Sequence, residues 1–217
     1  MARNVCRKLK PLIYVFYEGK SEQAYVEFLK EQFQDTAVIK ARQSEGLFEF
    51  ARDKFKNDIH YKSNAEVVDE IWFFFDVESK DIDKWDKRFK IVQSLRKLRK
   101  PQNIKVRLLM TTACMEYWLM LHYEKLSPTI ADTAEKEKML NKVKLKVPSY
   151  KKGDYNATAQ IAKLYKAAIE NGKWTLHCLQ SDGLPTLNDT DFRNEWLYKS
   201  NRTFTTVHEA LEFLEQL

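Results

Sequence analysis

Glycine and proline are scarce in this 217-residue chain, with five of each. Flexible linkers and low-complexity tracts need many more of both, so the chain reads as one compact unit. Cysteine is scarcer still: Cys6, Cys114 and Cys178 stand far apart and odd in number. That excludes a disulfide framework, and no Cys/His spacing suits zinc, so a reducing compartment is the natural reading. The four histidines, His60, His122, His177 and His208, lack the partners of a nucleophilic triad. His122 falls on an apolar helical face and reads as a core residue. No apolar run approaches the roughly 20 residues of a membrane helix, and no signal-peptide core follows the charged first ten residues. The expectation is a cytoplasmic protein with no membrane partner. Gly19-Lys20-Ser21 lacks the upstream glycine of a Walker A loop, so the chain is not expected to hydrolyse ATP by itself.

What is abundant is apolar and aromatic: 44% of residues are hydrophobic and 13% aromatic, ample for a core. Two apolar runs, LIYVFY at 12–17 and IWFFF at 71–75, read as strands buried on both faces, and VRLLMT at 106–111 reads as a third strand. A short further strand fits 38–41. Helical spacing follows Ser21 (Tyr25, Phe28, Leu29, Phe33), with a weaker candidate at 48–59. A basic helix is expected at 84–99, stopped by Pro101, and another at 115–124. Towards the end come a short amphipathic helix at 136–146 and a longer one at 156–171 capped by Gly172. Thr206 and Glu209 have capping-box spacing for a last helix through Leu214. Apolar strands alternating with helices predict an α/β fold, a mostly parallel sheet with helices on both faces and a helical C-terminal part.

Formal net charge is +6, unevenly spread. Residues 84–107 hold ten Lys or Arg against one acid, Asp86, and residues 136–152 hold seven Lys against one Glu. Either run can be a solvated face or a surface for phosphate backbones. Candidate nucleic-acid contacts are Lys20, Lys84, Lys87, Arg88, Arg96, Lys97, Arg99 and Lys100.

In parallel sheets ligands sit beyond the carboxyl ends of the strands, and acids stand there: Glu18 after the first run, Asp76 and Glu78 after IWFFF. Residues i and i+2 of an extended chain point to one side, so Asp76 and Glu78 can face a common point. Paired carboxylates repel unless a cation lies between them, and hard oxygen ligands suit Mg²⁺ or Mn²⁺.

Glu18-Gly19 with Glu22 resembles the first motif of Toprim domains in OLD-like nucleases, and Asp76-x-Glu78 resembles the Toprim D-x-D motif, with Glu in place of the second Asp. TTACMEYWLMLHYE from Thr111, YKKGDYN from Tyr150 and SNRTFTTVHEALEFL from Ser200 resemble, in order, segments of the RloB/AbiLii family. Ala113-Cys114 replaces that family's Asn-Pro before the acid at Glu116. The resemblance covers nearly the whole chain. It implies one RloB-like domain over 1–217, with a Toprim core at about 10–125 and a helical part at about 126–217.

The resemblance further implies a metal-dependent nuclease in antiviral defence, of the abortive-infection or restriction-linked kind, with a partner ATPase encoded nearby. Glu18, Glu22, Asp76 and Glu78 would bind metal, and Glu18, Glu116 and Lys152 would act in catalysis. DNA and RNA are both candidate substrates, a transfer RNA among them, and homo-oligomerisation is left open. The alternative is a catalytically weak nucleic-acid-binding or regulatory subunit of such a complex.

Overall fold

The computed structural model describes residues 9–99, 102–130 and 132–217. Its sheet is four-stranded and all parallel: β1 (Leu12–Tyr17), β2 (Val38–Gln43), β3 (Val68–Val77) and β4 (Lys105–Thr112), in spatial order β2-β1-β3-β4. The helices are α1 (Lys20–Gln32), α2 (Leu47–Asn57), α3 (Ile59–Ala65), α4 (Trp85–Arg96) and α5 (Met115–Met120). They continue as α6 (Thr133–Lys146), α7 (Tyr155–Ala162), α8 (Tyr165–Cys178), α9 (Asp191–Lys199) and α10 (His208–Glu215). None among the described residues is long and apolar enough to cross a membrane.

The apolar runs explain the layering. Side chains alternate across a strand, so a continuous apolar run demands cover on both faces. Ile13, Val15, Tyr17, Trp72 and Phe74 face a core shared with α1, α5, α6, α7 and α10. Tyr14, Phe16, Ile71, Phe73 and Phe75 face the opposite core, shared with α2, α3, α4 and α9. The mostly parallel sheet covered on both sides, with a helical C-terminal part, is therefore the fold found. The C-terminal segment also returns to the sheet: Thr205 makes an antiparallel bridge with Thr111 at the outer edge of β4.

Several local expectations are corrected. The helix expected at 48–59 is two, because Asp58 leaves helical geometry and its carboxylate accepts the His60 N–H at 3.0 Å, capping α3. The helix expected at 156–171 is also two, broken at Lys163 and Leu164. Gly172 is no cap. It lies inside α8, where an added Cβ would come within 2.8 Å of His208 Nδ1, so it serves a close helix contact. The Thr206 and Glu209 capping box does not form. Thr206 Oγ1 instead donates to the Leu108 carbonyl (2.7 Å) and accepts the Met110 N–H (2.8 Å), and Glu209 pairs with Arg193. The basic helix is shorter than expected, a 3-10 turn (Ser79–Lys84) preceding α4, and the stop expected at Pro101 lies outside the described residues. The helix expected at 115–124 ends at Met120.

Topology places the site. The chain runs from β1 through α1 on one face to β2, and from β3 through α4 on the other face to β4. The winding direction thus reverses between β1 and β3, and such a reversal leaves a crevice beyond the strand ends.

Candidate active site

A crevice of about 970 Å³ opens at that reversal, with Glu18 and Glu22 on one lip and Asp76 and Glu78 on the other. Glu18 directly follows β1 and is exposed; its carbonyl accepts a bond from Gln43 Nε2 at 3.0 Å, tying it to β2. Glu22 lies in the first turn of α1 and is only 6% exposed. Its carboxyl folds back against Gly19, where a Cβ would stand 2.3 Å from Glu22 Oε2. The Glu-Gly pair therefore works as a unit, since glycine alone leaves room for that carboxyl.

Asp76 is not beyond the strand, as expected, but within it, in register with Thr111. By alternation it shares a face with Trp72 and Phe74, the face on which α1 and α5 carry Glu22 and Glu116. Its Oδ1 is buried and has no hydrogen-bond partner. Burial, then the charges of Glu22 and Glu116, push the Asp76 carboxyl well above the usual carboxylate range. Burial also lifts Glu22 to about 7, with help from Glu116 and Glu18. Cys114, buried nearby, is pushed up to about 12 by burial and then by Glu116 and Asp76. Unlike groups thus register one negative field.

Glu78 faces other partners. Lys136 reaches it at 2.5 Å and Lys80 pairs with its second oxygen. Burial opposes ionisation there, yet the two ammonium groups hold its carboxyl below the usual range. Glu116, 1% exposed in the first turn of α5, accepts a bond from Tyr150 Oη at 3.1 Å and pairs with Lys152 at 3.3 Å. The loop bearing both partners lies on α1: Gly153, at φ +78°, packs where a Cβ would be 2.7 Å from Lys20 Cβ. Lys20 itself is exposed.

The expected nucleic-acid contacts divide. Lys84, Lys87 and Arg88 line the crevice, but each is paired. Lys84 meets Asp81 at 2.7 Å and Lys87 meets Glu49 at 2.6 Å. Arg88 donates to Tyr198 Oη (2.7 Å) and Asp81 (3.3 Å) and lies over the Phe48 and Phe75 rings. Farther along α4, Arg96 clamps Asp191 through two bonds of 2.8 and 2.7 Å, and Arg99 approaches Asp69 at 3.9 Å. Lys97 is exposed, and Lys100 lies outside the described residues. Five of these cations thus stand beside acids with which a phosphate backbone would compete.

Sequence reasoning missed Tyr150, Lys80 and Lys136 as carboxylate partners, and Glu45 and Glu49 as crevice walls. Tyr150 opened one of the resembling segments and Lys136 the second basic run; nothing in the sequence flags Glu45 or Glu49. His122 is the core residue expected, buried against Tyr25 Oη (3.1 Å) and the Trp118 carbonyl (3.0 Å), with burial lowering it to about 4.

As the side chains stand, no group of three or more His, Cys, Asp or Glu among the described residues is arranged to hold a metal ion. The donor chemistry nevertheless fits a hard divalent cation: carboxylate oxygens, one of them a buried acceptor without a partner, in a field that resists their joint ionisation.

Fold and site together define a class, an all-parallel α/β protein with a carboxylate cluster at the switch point of its sheet. A family model, RloB-like protein, matches residues 13–214, and the chain belongs to that family. No curated protein and no solved structure gives a significant match.

Proposed function

We propose that the crevice hydrolyses phosphodiester bonds of nucleic acid with the help of Mg²⁺ or Mn²⁺, in a Toprim-like manner. The observation that carries this is Asp76, whose buried, unpartnered Oδ1 stands within the field of Glu22, Glu116 and Glu78. Ionising a buried acceptor without a donor is costly, and a bound cation offsets that cost. Asp76 and Glu22 would hold the ion, with Glu18 and Glu78 completing the set by side-chain rotation. A divalent ion there supplies positive charge for the attacking and leaving oxygens.

The chain's own groups supply the rest. Glu18, exposed at the crevice mouth, is placed to take a proton from attacking water at a carboxylate oxygen. Lys152 lies half-exposed beside Glu116, and its ammonium can shift to the charge that develops on the phosphoryl oxygens. Lys84, Lys87 and Arg88 bring cationic groups to the opposite wall. In the wider reading that the family resemblance supports, the chain is the effector of a defence system and its partner ATPase supplies the nucleotide-driven trigger.

A second reading, a nucleic-acid-binding or regulatory subunit with little activity, is favoured by the carboxylates not converging on one point. Cleavage by the chain reconstituted with its ATPase tests both. Asp76→Ala should abolish cutting and Glu18→Gln should cripple it, while Lys152→Ala should cost about 10²–10³-fold. If Asp76→Ala cuts as fast as the parent, the site is misassigned. If nothing cuts, the second reading replaces the first.

A further inference from the structure

A second cavity, of about 600 Å³, lies beyond the ends of β3 and β4 and shares Glu78 and Lys80 with the crevice. Its walls are stitched together by sequence-distant bonds. Thr112 Oγ1 donates to the Arg202 carbonyl at 2.9 Å and accepts the Phe204 N–H at 3.0 Å, and Thr203 Oγ1 donates to the Pro128 carbonyl at 2.5 Å. Among the described residues only two non-glycine positions have positive φ, Ala113 at 65° and Asn201 at 52°, and both line this cavity. Left-handed backbone with a Cβ is unfavourable and persists where the surroundings enforce it, commonly at ligand sites.

The lining chemistry is specific. Val77 and Ile130 give an apolar wall, Thr129, Thr133 and Asn201 bring hydroxyls and an amide, and Lys80, Lys136 and Arg202 bring three cations against two acids, Glu78 and Asp132. Lys80 and Lys136 stand on the side joined to the crevice, because both hold Glu78. A flat apolar body with hydrogen-bonding edges and an anionic link towards the crevice matches that order. Pockets of this size take small ligands, and proteins that act on single strands splay bases into such pockets.

We propose that the second cavity binds one unpaired nucleotide of the strand whose neighbouring phosphodiester lies at the carboxylates. The substrate is then a single strand, a loop or a splayed end rather than a fully paired duplex. This inference rests on the nuclease reading of the crevice, and binding measured without cleavage separates the two.

The test uses the full-length Asp76→Ala protein with Mg²⁺, a short labelled single strand and the matching duplex. Thr133→Trp fills the cavity from an exposed position at the start of α6. It should weaken single-strand affinity about ten- to a hundredfold, a loss expected for one base contact, and leave duplex affinity unchanged. Asn201→Gly, which accepts the local φ and so does not endanger the fold, should weaken the single strand in the same direction. Equal single-strand affinities for the Asp76→Ala parent and both double variants would overturn the inference, even if Asp76→Ala alone has abolished cutting. Loss of binding on cavity filling would uphold the cavity as a nucleotide site, even if the reconstituted parent cuts nothing. Free nucleoside monophosphates form a separate arm. If Thr133→Trp blocks them but leaves strand affinity intact, the cavity serves free nucleotides and the strand assignment falls.

Discussion

The most demanding consequence of the carboxylate cluster concerns Glu22 in metal-free protein. Burial raises its pKa from 4.5 to about 7, so the folded state holds this proton more tightly than the unfolded chain does. The stability that comes from this proton is complete below pH 4.5 and is lost as pH rises through 7. A shift of that size corresponds to about 3 kcal/mol of stability missing at pH 8. For a chain of this length that is roughly 6–12 °C in melting temperature. Asp76, raised in the same direction, steepens the fall. Replacing Glu22 by Gln removes the titrating group while nearly keeping the shape. In EDTA, thermal melts from pH 5 to 8 should therefore show a steep decline for the parent and a much flatter one for Glu22→Gln, the variant being the more stable at pH 8. Profiles of equal slope would refute the reasoning, because Glu22 would then be no more protonated in the folded state than in the unfolded one.

At pH 8 millimolar Mn²⁺ should raise the parent's melting temperature over EDTA, by about 2.7 kcal/mol of stabilisation at a hundredfold excess over Kd, and Asp76→Ala should lose that response. Gly153→Ala forces a Cβ against Lys20 at a left-handed position and should cost about 2 kcal/mol in urea unfolding, with activity falling further as Lys152 leaves Glu116. Glu70→Ala leaves the Arg107 guanidinium and Trp72 Nε1 without their shared carboxylate in a buried setting, for a loss of about 3–5 kcal/mol by the same measurement. Arg96→Ala should cost about 1 kcal/mol through Asp191 and leave the salt dependence of nucleic-acid binding unaltered; a flatter salt slope would return Arg96 to the phosphate-binding face.

The strands were legible because a run buried on both faces leaves few polar positions, none in IWFFF and only Arg107 and Thr111 in VRLLMT. Helix breaks were not, since Asp58 and the Lys163-Leu164 pair interrupt patterns that apolar spacing alone continues. The helix at α9 escaped notice because one of its aromatic residues, Phe192, is 70% exposed while its arginine, Arg193, is fully buried, the reverse of the usual pattern. Arg193 is held there by Asp189, four residues back, and by Glu209 on α10, a partner that no local window contains. The acids at the strand ends were legible by position. Their environment was not: what raises Glu22 and Asp76 is burial, joined by the charge of Glu116, which stands 94 positions from Glu22 in sequence. In the basic run at 84–107 the sequence showed the cations but not their pairing, since acids as distant as Asp69 and Asp191 meet it in space.

The bridge between Thr111 and Thr205 sets the order in which the molecule can be completed. Those side chains meet across 94 positions, and beside them the Phe204 N–H bond to Thr112 Oγ1 closes the wall of the second cavity. A polypeptide emerging from the ribosome amino end first can pair its strands early, yet that wall stays open until the residues around Phe204 have left the exit tunnel. The β4 edge meanwhile exposes unpaired backbone, so an interrupted chain is both unfinished and adhesive. The order of synthesis thus keeps the completed pocket out of reach until the residues around Phe204 have been made.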